Sequence, residues 1–191
     1  MSSYIYTYQH TCKKGAEAYI LQNSAFKSNI INKSNGNKYL PFLGEGYYYW
    51  EENDKAAHSW GKRRYGDNYN IVEYIDANIS RDDLLDFLNR RDLRYFNELI
   101  ERFKEKRKSS TNWQIVNWIE FFKQLEKTNK GIFPFNFLRA DENLPDPSQN
   151  NKIKDKSNFN DTGYYTFLNP LIMLCAINKC NLNCKKKHII Y

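Results

Sequence analysis

The sequence predicts an α+β fold in which strands occupy both ends of the chain and helices lie between them. Segments rich in aromatic and β-branched residues, typical of strands, occur near both ends. The stretch 80–130 instead carries apolar residues at the three- and four-residue spacing of amphipathic helices. At 191 residues, the chain is long enough for one domain with its own core. The aromatic content of 16% argues against disorder.

The first part of the chain alternates between predicted strands and short helices. Tyr4–Tyr8 alternates aromatic and β-branched residues, which predicts a strand that ends at residues 9–11. The spacing of Ile20 and Leu21 predicts a helix after that strand. In order, we predict a helix over 16–23, a polar loop over 29–38, a glycine turn and strand over 44–50, a helix over 52–62 and a strand over 69–77.

The second part begins with a predicted helical block. Ser80 followed by acidic residues is a typical helix start, because the hydroxyl can cap and the acids favour the amide-rich end. The apolar stripe predicts that this helix runs on to Phe103, and a second helix is predicted over 112–127. Beyond the block we predict a strand over 132–140 with Pro134 at an edge or bulge, a loop over 141–161, and closing strands over 167–177 and 187–191.

The chain is basic, with a formal net charge of +7. Its cations cluster at 62–64, 104–108 and 185–187, and such clusters can attract nucleic acid or acidic proteins. A solvated basic surface is the alternative for each cluster. No apolar run reaches the ~18 residues that cross a bilayer. The first residues lack the features of a signal peptide, so we expect a cytoplasmic protein.

Cysteine usage is consistent with that compartment. Cys12, Cys175, Cys180 and Cys184 are expected to be free thiols. Cys180, Cys184 and His188 share a four-residue spacing that could indicate a metal. The surrounding residues are typical of a strand, a turn and a strand, and no fourth ligand is evident. We therefore expect structural cysteines and no metal site.

The segment 43–60 carries the most informative pattern in the chain. Gly44 and Gly46 flank a glutamate, the run Tyr47–Trp50 follows, and a helix-like stretch then brings Trp60. Glycine permits a bend and the close approach of a ligand, while aromatic rings supply flat faces for stacking. The pattern predicts one half of a site for a flat, cationic ring. A strand with aromatic residues on two buried faces is the alternative.

The order of these segments resembles a known family. A predicted strand ends in His10-Thr11 and is followed by a short helix. Next come the segment Gly44-Glu45-Gly46-Tyr47-Tyr48-Tyr49-Trp50 and then Lys55-Ala56-Ala57. This order is similar to the motifs of the diphtheria-toxin-like and poly(ADP-ribose)-polymerase-like ADP-ribosyltransferases, the His-Tyr-Glu class. Asn169–Leu174 resembles their final motif strand. The resemblance implies one domain over 1–191, with a split β-sheet core and the helical block 80–130 as an insertion. Residues 80–130 have no counterpart in the family pattern.

The resemblance implies an enzyme that uses NAD as a substrate and transfers its ADP-ribose. By this resemblance His10 would bind the adenosine-side ribose, and the backbone at Thr11 would hold the nicotinamide amide. Tyr48 would stack on the nicotinamide ring beside Gly46. Trp60, or alternatively Tyr49, would cover the opposite face. Tyr49 is expected to point away from Tyr48, since neighbouring strand residues face opposite ways.

Two departures from the family pattern shape the functional prediction. Thr11 stands where the family has glycine, and Pro170, beside Asn169, stands where the family has its glutamate. Because that glutamate binds a ribose hydroxyl and polarises the acceptor, we expect transfer of single ADP-ribose units rather than polymer synthesis. Glu45 or Glu142 could supply a carboxylate from a loop. Arg139 could pair with a pyrophosphate or form a surface ion pair.

Two functional hypotheses follow. The first is an NAD-dependent mono-ADP-ribosyltransferase, such as a toxin or a phage-conflict effector, that modifies protein or nucleic acid and can have a neutralising partner. NAD glycohydrolysis without an acceptor is an intermediate form of it. The second is a catalytically inactive module of the same fold that binds nucleic acid or an acidic protein through its lysine clusters.

Overall fold

The computed structural model describes residues 3–32, 34, 36, 38–107, 113–142, 156–158, 165–167, 170–179 and 182–191. The helices in this part are α1 (Glu17–Asn23), α2 (Asp54–Tyr65), α3 (Arg90–Arg107) and α4 (Ile115–Thr128). The longer strands are β1 (Ser3–Lys13), β5 (Gly46–Glu51), β6 (Tyr69–Ser80), β8 (Phe137–Asp141), β11 (Ile172–Ala176) and β12 (Lys186–Ile190). The shorter strands are β2 (Lys27–Ser28), β3 (Ile31–Asn32), β4 (Lys38–Tyr39), β7 (Leu84–Asp86), β9 (Lys156–Asn158) and β10 (Tyr165–Phe167).

One mixed sheet organises these elements. Its order is β12-β6-β1-β5-β11-β8-β7, with β2 paired to β5 beside this path. All of its pairs are antiparallel except β7 with β8. Two separate hairpin-like pairs, β3 with β4 and β9 with β10, complete the described strands. The α+β prediction is therefore confirmed at the level of class.

The three strands on which the family-like motifs fall are neighbours in the sheet. β1 carries His10, β5 carries Tyr48, and β11 carries Met173, in the order β1-β5-β11. They come from widely separated parts of the chain. The sheet therefore brings these segments together although nothing local in the sequence connects them.

The sheet separates two hydrophobic layers. Tyr49 and Leu174 face the layer that includes Ile20 of α1, whereas Trp50, Met173 and Cys175 face the helices α2, α3 and α4. This alternation follows from the two-residue period of a strand. Tyr48 packs on the side of the sheet that α3 and α4 cover, and Tyr49 packs on the side that α1 covers. This confirms that the two tyrosines point apart.

The predicted helix start at Ser80 is wrong. Ser80 ends β6, and its hydroxyl accepts a hydrogen bond from Asp82 N–H in a single 3₁₀ turn. Residues 84–86 then form β7, whose Leu84 and Leu85 are both fully buried beside β8. A strand with both faces buried is apolar at consecutive positions, so its pattern does not distinguish it from a helix. α3 begins only at Arg90.

Several predicted boundaries also shift. The strand predicted from 132 begins at Phe137, because Phe133 turns into the core beside α4 and Pro134 lies outside the ladder. β11 is shorter than the predicted 167–177. Most of the predicted loop 141–161 lies outside the described residues, but Asp141 ends β8 and Lys156–Asn158 pairs with Tyr165–Phe167. Asn169 also lies outside the described residues.

Candidate functional site

The first element of the site is a split between β1 and β5. β1 and β5 are paired at Tyr8–Glu51 and Gln9–Trp50. Beyond Gln9, β1 remains paired with β6, its neighbour on the other side. β5 then pairs with β2, through Tyr47 and Gly46. The two central strands therefore diverge just where His10 and Tyr48 face each other.

His10 connects the two sides of this split. Its Nδ1 donates to the Tyr48 carbonyl oxygen at 2.8 Å, and its Nε2 accepts from the Phe26 N–H at 3.0 Å. One imidazole thus holds β5 and the segment that leads into β2. The two hydrogen bonds can form together only when the imidazole is neutral and carries its proton on Nδ1. Burial lowers the pKa of His10 from 6.5 to about 4, which agrees with that form.

A cavity of about 470 Å³ opens at the split. Four of the predicted site residues line it: His10, Thr11, Tyr48 and Trp60. The wall also includes Cys12, Ile20, Phe26, Pro41, Phe42, Trp50, Tyr65 and Met173. A volume of this size suits a small ligand or part of a dinucleotide, and the wall is mainly apolar and aromatic.

Tyr48 is held at its phenol oxygen by two backbone hydrogen bonds. Its hydroxyl accepts from the Leu43 N–H at 2.7 Å and donates to the Gly44 carbonyl at 2.6 Å. Burial raises the pKa of the phenol, so the hydroxyl remains protonated. The ring is fixed while one side remains part of the cavity wall. Such a fixed aromatic surface is suited to stacking.

The turn that holds Tyr48 is itself held by α4. Glu120 accepts the Glu45 N–H at 2.7 Å, and Lys123 donates both to the Glu45 carbonyl and to Glu120. Gly44 has φ +83°, and a Cβ there would lie 2.0 Å from Glu120 Oε1. The helical block is thus attached to the aromatic segment through a buried polar contact.

Gly46 and Thr11 have structural neighbours that account for their residue types. A Cβ on Gly46 would lie 2.4 Å from Cys175 Sγ, so glycine permits close packing of β5 on β11, and Gly46 is not among the cavity-lining residues. The Thr11 hydroxyl donates to the Ala57 carbonyl at 3.0 Å. Thr11 therefore joins β1 to α2, and its side chain forms part of the cavity wall.

The two carboxylates considered from the sequence have different environments. Glu45 accepts the Ile30 N–H and pairs with Lys27 at 3.0 Å, and it lies outside the cavity wall. These contacts, the Ile30 N–H first, lower the pKa of Glu45. Glu142 lines the cavity. Pro170 is exposed immediately before β11 and does not line it.

Arg139 belongs to a buried ion network. Its guanidinium pairs with Glu51 at 2.6 Å and with Asp86 at 3.1 Å, and Glu51 also accepts from the Tyr8 hydroxyl. Arg139 is only 8% exposed. The expected ion pair is present but is buried instead of lying at the surface. Because the two carboxylates already occupy the guanidinium, it is not available to a pyrophosphate.

Lysines at the rim were not singled out by the sequence reasoning. Lys13 and Lys14 are exposed beside the cavity, and Lys27 lies on the same wall. His10 is neutral and Lys27 is paired with Glu45, whereas Lys13 and Lys14 have no ion-pair partner among the residues that the structure describes. The sequence carries a signal for these lysines, because a Lys-Lys-Gly run lies at the end of the strand that carries His10.

Cys12, Cys175 and Cys184 are free thiols. Burial raises the pKa of Cys12 to about 11 and of Cys175 to about 12, so both remain protonated. Cys180 lies outside the described residues. Within the described ranges, no group of three histidine, cysteine or acidic residues is arranged to hold a metal ion. None of the helices described here is long and apolar enough to span a membrane.

Comparisons with protein-family models, curated proteins and solved structures found no match to this chain.

Proposed function

We propose that this protein is an NAD-dependent mono-ADP-ribosyltransferase whose dinucleotide binds in the cavity at the β1–β5 split. The observation that carries the proposal is the convergence of His10, Thr11, Tyr48 and Trp60 on one cavity. These residues were chosen from the sequence on the motif resemblance. Their convergence requires the sheet order that the fold provides, in which β1 and β5 are neighbours.

The chemistry of the wall supports the choice of ligand. The Tyr48 ring is fixed by two backbone contacts and offers a stacking surface for the cationic nicotinamide ring. Trp60 stands on α2 at the same cavity, with Tyr65 edge-on to it at 5.7 Å. Lys13 and Lys14 at the rim supply positive charge for the phosphates. An aromatic wall suits the nicotinamide ring of a dinucleotide, and a cationic rim suits its phosphates.

Cleavage of the nicotinamide–ribose bond develops positive charge on the ribose, so catalysis depends mainly on positioning and electrostatics. In this site His10 would act as a positioning residue. Its two ring nitrogens already hold Tyr48 and Phe26, so it fixes the separation of the strands between which the ligand lies. A direct hydrogen bond from His10 to a ribose would require the Phe26 contact to be exchanged for it.

The experiment is incubation of the protein with NAD labelled in its adenylate part, together with cell lysate, followed by measurement of label transfer and nicotinamide release. Tyr48→Ala and Trp60→Ala should each lower NAD affinity by about tenfold or more, because a stacked cation–aromatic contact is worth ~1–2 kcal/mol. Tyr191→Ala is the matched control, since that tyrosine is 90% exposed and lies outside the cavity wall. Absence of both NAD binding and nicotinamide release contradicts the proposal.

A second candidate function is supported by the occupied state of His10 and the exposed proline at 170. Both agree with an inactive module that binds nucleic acid or an acidic protein through its lysines. Titration with an oligonucleotide at several salt concentrations separates the two functions, because each phosphate contact steepens the salt dependence. Steep salt-dependent binding without NAD turnover favours this second candidate.

If transfer is found, the next question is whether the acceptor is a protein or a nucleic acid. Mass spectrometry of the labelled lysate, with and without nuclease treatment, separates protein from nucleic acid acceptors. A neutralising partner would be expected to cover the cavity mouth.

A further inference from the structure

A second cavity adjoins the first at the start of α2. This α2 groove has a volume of about 700 Å³, and its lining includes Trp50, Ser59, Trp60, Arg63, Glu142 and Leu171. Trp50, Trp60 and Glu142 line both cavities. Those three residues therefore form the boundary between the space proposed for NAD and an independent route from the surface.

Glu142 is fixed at this boundary by its backbone. It directly follows β8, and its N–H donates to the Leu171 carbonyl at 2.9 Å, just before β11 begins. Among the described residues that line the first cavity, it is the only one with a carboxylate side chain. A carboxylate placed between two cavities can contact a group that enters from either side.

The surroundings of Glu142 favour proton uptake. The residue as a whole is exposed, but its carboxyl lies among enough protein atoms that desolvation raises its pKa. Arg63 opposes this shift and Asp141 adds to it. A carboxylate with a raised pKa is a stronger base than an ordinary surface glutamate, and proton transfer to such a group is a common catalytic device.

We propose that the α2 groove admits a hydroxyl nucleophile and that Glu142 is the catalytic base that accepts its proton. This proposal rests on the proposed function, in which NAD occupies the first cavity. The bond between ribose C1′ and the nicotinamide nitrogen breaks, and its electron pair leaves with neutral nicotinamide. The hydroxyl oxygen bonds to C1′, and its proton passes to the Glu142 carboxylate.

A hydroxyl fits this arrangement better than a carboxylate acceptor. A carboxylate has no proton to give and would be repelled by Glu142. A neutral hydroxyl is a weak nucleophile until a base takes its proton, and it can enter a space lined by Trp50 and Trp60 without the cost of burying a charge.

The first test measures NAD binding by calorimetry and nicotinamide release in buffer that contains methanol. Methanol is a hydroxyl probe, and its capture gives methyl ADP-ribose, which mass spectrometry distinguishes from the ADP-ribose formed with water. Glu142→Gln should lower both products at least ~100-fold, as expected for loss of a general base, with NAD affinity changed less than ~3-fold. Glu98→Gln, exposed on α3, is the control and should retain wild-type rates.

Chemical rescue distinguishes a catalytic base from a structural residue. In Glu142→Ala, added formate should restore part of the lost rate, because it can occupy the vacated space and accept the proton. Glu98→Ala should not respond to formate. A Glu142→Gln variant that turns over NAD at the wild-type rate overturns this inference while leaving the proposed function standing.

The groove itself is tested by obstruction. Ser59 lies in the α2 groove but not in the first cavity, so Ser59→Trp should fill the route while NAD still binds. The ratio of alcohol product to water product, measured with glycerol, should fall at least ~5-fold. An unchanged ratio contradicts the assignment of the groove. A wild-type protein that binds NAD yet releases no nicotinamide contradicts the catalytic base, whereas one that binds no NAD contradicts the proposed function.

Discussion

His10 is the residue on which the geometry of the cavity depends most directly. Where β1 and β5 diverge, the imidazole of His10 takes the place of their backbone hydrogen bonds. One ring nitrogen donates to the Tyr48 carbonyl, and the other accepts from the Phe26 N–H. Because both contacts require the neutral ring, the protonation of one side chain is linked to the separation of two strands. This linkage gives a stability effect with a defined sign.

Stability should fall with acidification between pH 6.5 and about 4 because of His10. The folded-state pKa is about 4 and the unfolded value is 6.5, so the unfolded chain binds the extra proton in this window. The contribution is fully present above pH 6.5 and is lost as the pH falls toward 4. It amounts to at most ~3 kcal/mol, since one pKa unit corresponds to ~1.4 kcal/mol.

Urea unfolding at a series of pH values measures this effect. His10→Gln should flatten the slope between pH 6.5 and 4, whereas His58→Gln, a matched control on α2, should keep it. An identical slope in wild type and His10→Gln means that other groups cause the acid sensitivity.

At the residue scale, the sequence indicates which side chains line the cavity where a residue type carries its own chemistry. Tyr48, Trp60 and His10 could be chosen because glycine, aromatic and histidine positions combine in a recognisable order. The role of Arg139 could not be chosen, because its partners Glu51 and Asp86 come from different strands and nothing local connects them. Gly46 was assigned to the ligand, whereas its missing side chain is explained by contact with Cys175.

At the scale of elements, α4 contributes to the site without lining the cavity at the split. Glu120 and Lys123 hold the backbone of Glu45, and the adjoining residues 43 and 44 hold the Tyr48 hydroxyl. The helical block at 90–128 is therefore coupled to the proposed stacking surface through a single turn.

Lys123→Met should loosen this turn and weaken NAD binding by about three- to tenfold. The substitution removes the donor to the Glu45 carbonyl and leaves Glu120 without its cation, which should also lower the free energy of unfolding by ~1–3 kcal/mol. Lys127→Met, exposed one turn further along α4, should be nearly neutral. Equal NAD affinities for the two variants would show that the turn does not depend on α4.

Element prediction failed mainly where burial on both faces removes periodicity. Leu84–Asp86 continued the apolar stripe of the next helix in the sequence, yet it forms a parallel strand beside β8. The pairing partner, Phe137–Arg139, lies beyond two helices, so a local pattern could not reveal it. The amphipathic helix over 115–128 was predictable because its apolar residues lie on one face.

At the scale of the whole molecule, the ion network of Arg139 joins four strands of the sheet. Glu51 lies on β5, Asp86 on β7 and Arg139 on β8, and Tyr8 on β1 donates to Glu51. Tyr4 and Tyr6 lie within 5.8 Å and 5.7 Å of the guanidinium and cover it. Both carboxylates are buried, and Arg139 is the cation that forms a direct ion pair with each of them.

Arg139→Met should destabilise the whole domain by about 3–5 kcal/mol. The change leaves Glu51 and Asp86 as buried negative charges without a cation, a loss that exceeds the net value of the pair itself. Arg102→Met removes an exposed arginine paired only weakly with Glu98, and it should cost less than ~0.5 kcal/mol. Thermal and urea unfolding of the two variants give the comparison, and similar unfolding midpoints would contradict the role of the network.

The order of the strands also has a consequence for the time course of folding. Met173 of β11 lines the cavity together with residues of β1, which precedes β11 by more than 150 residues in the sequence. Contacts between such distant segments are slow to form because long loops must close first. During synthesis, a nascent chain whose β11 is still inside the ribosome lacks Met173 from the cavity wall and the strand that pairs with β5 on the side away from β1. A producing cell would therefore meet any activity of this protein only after translation of this strand is complete.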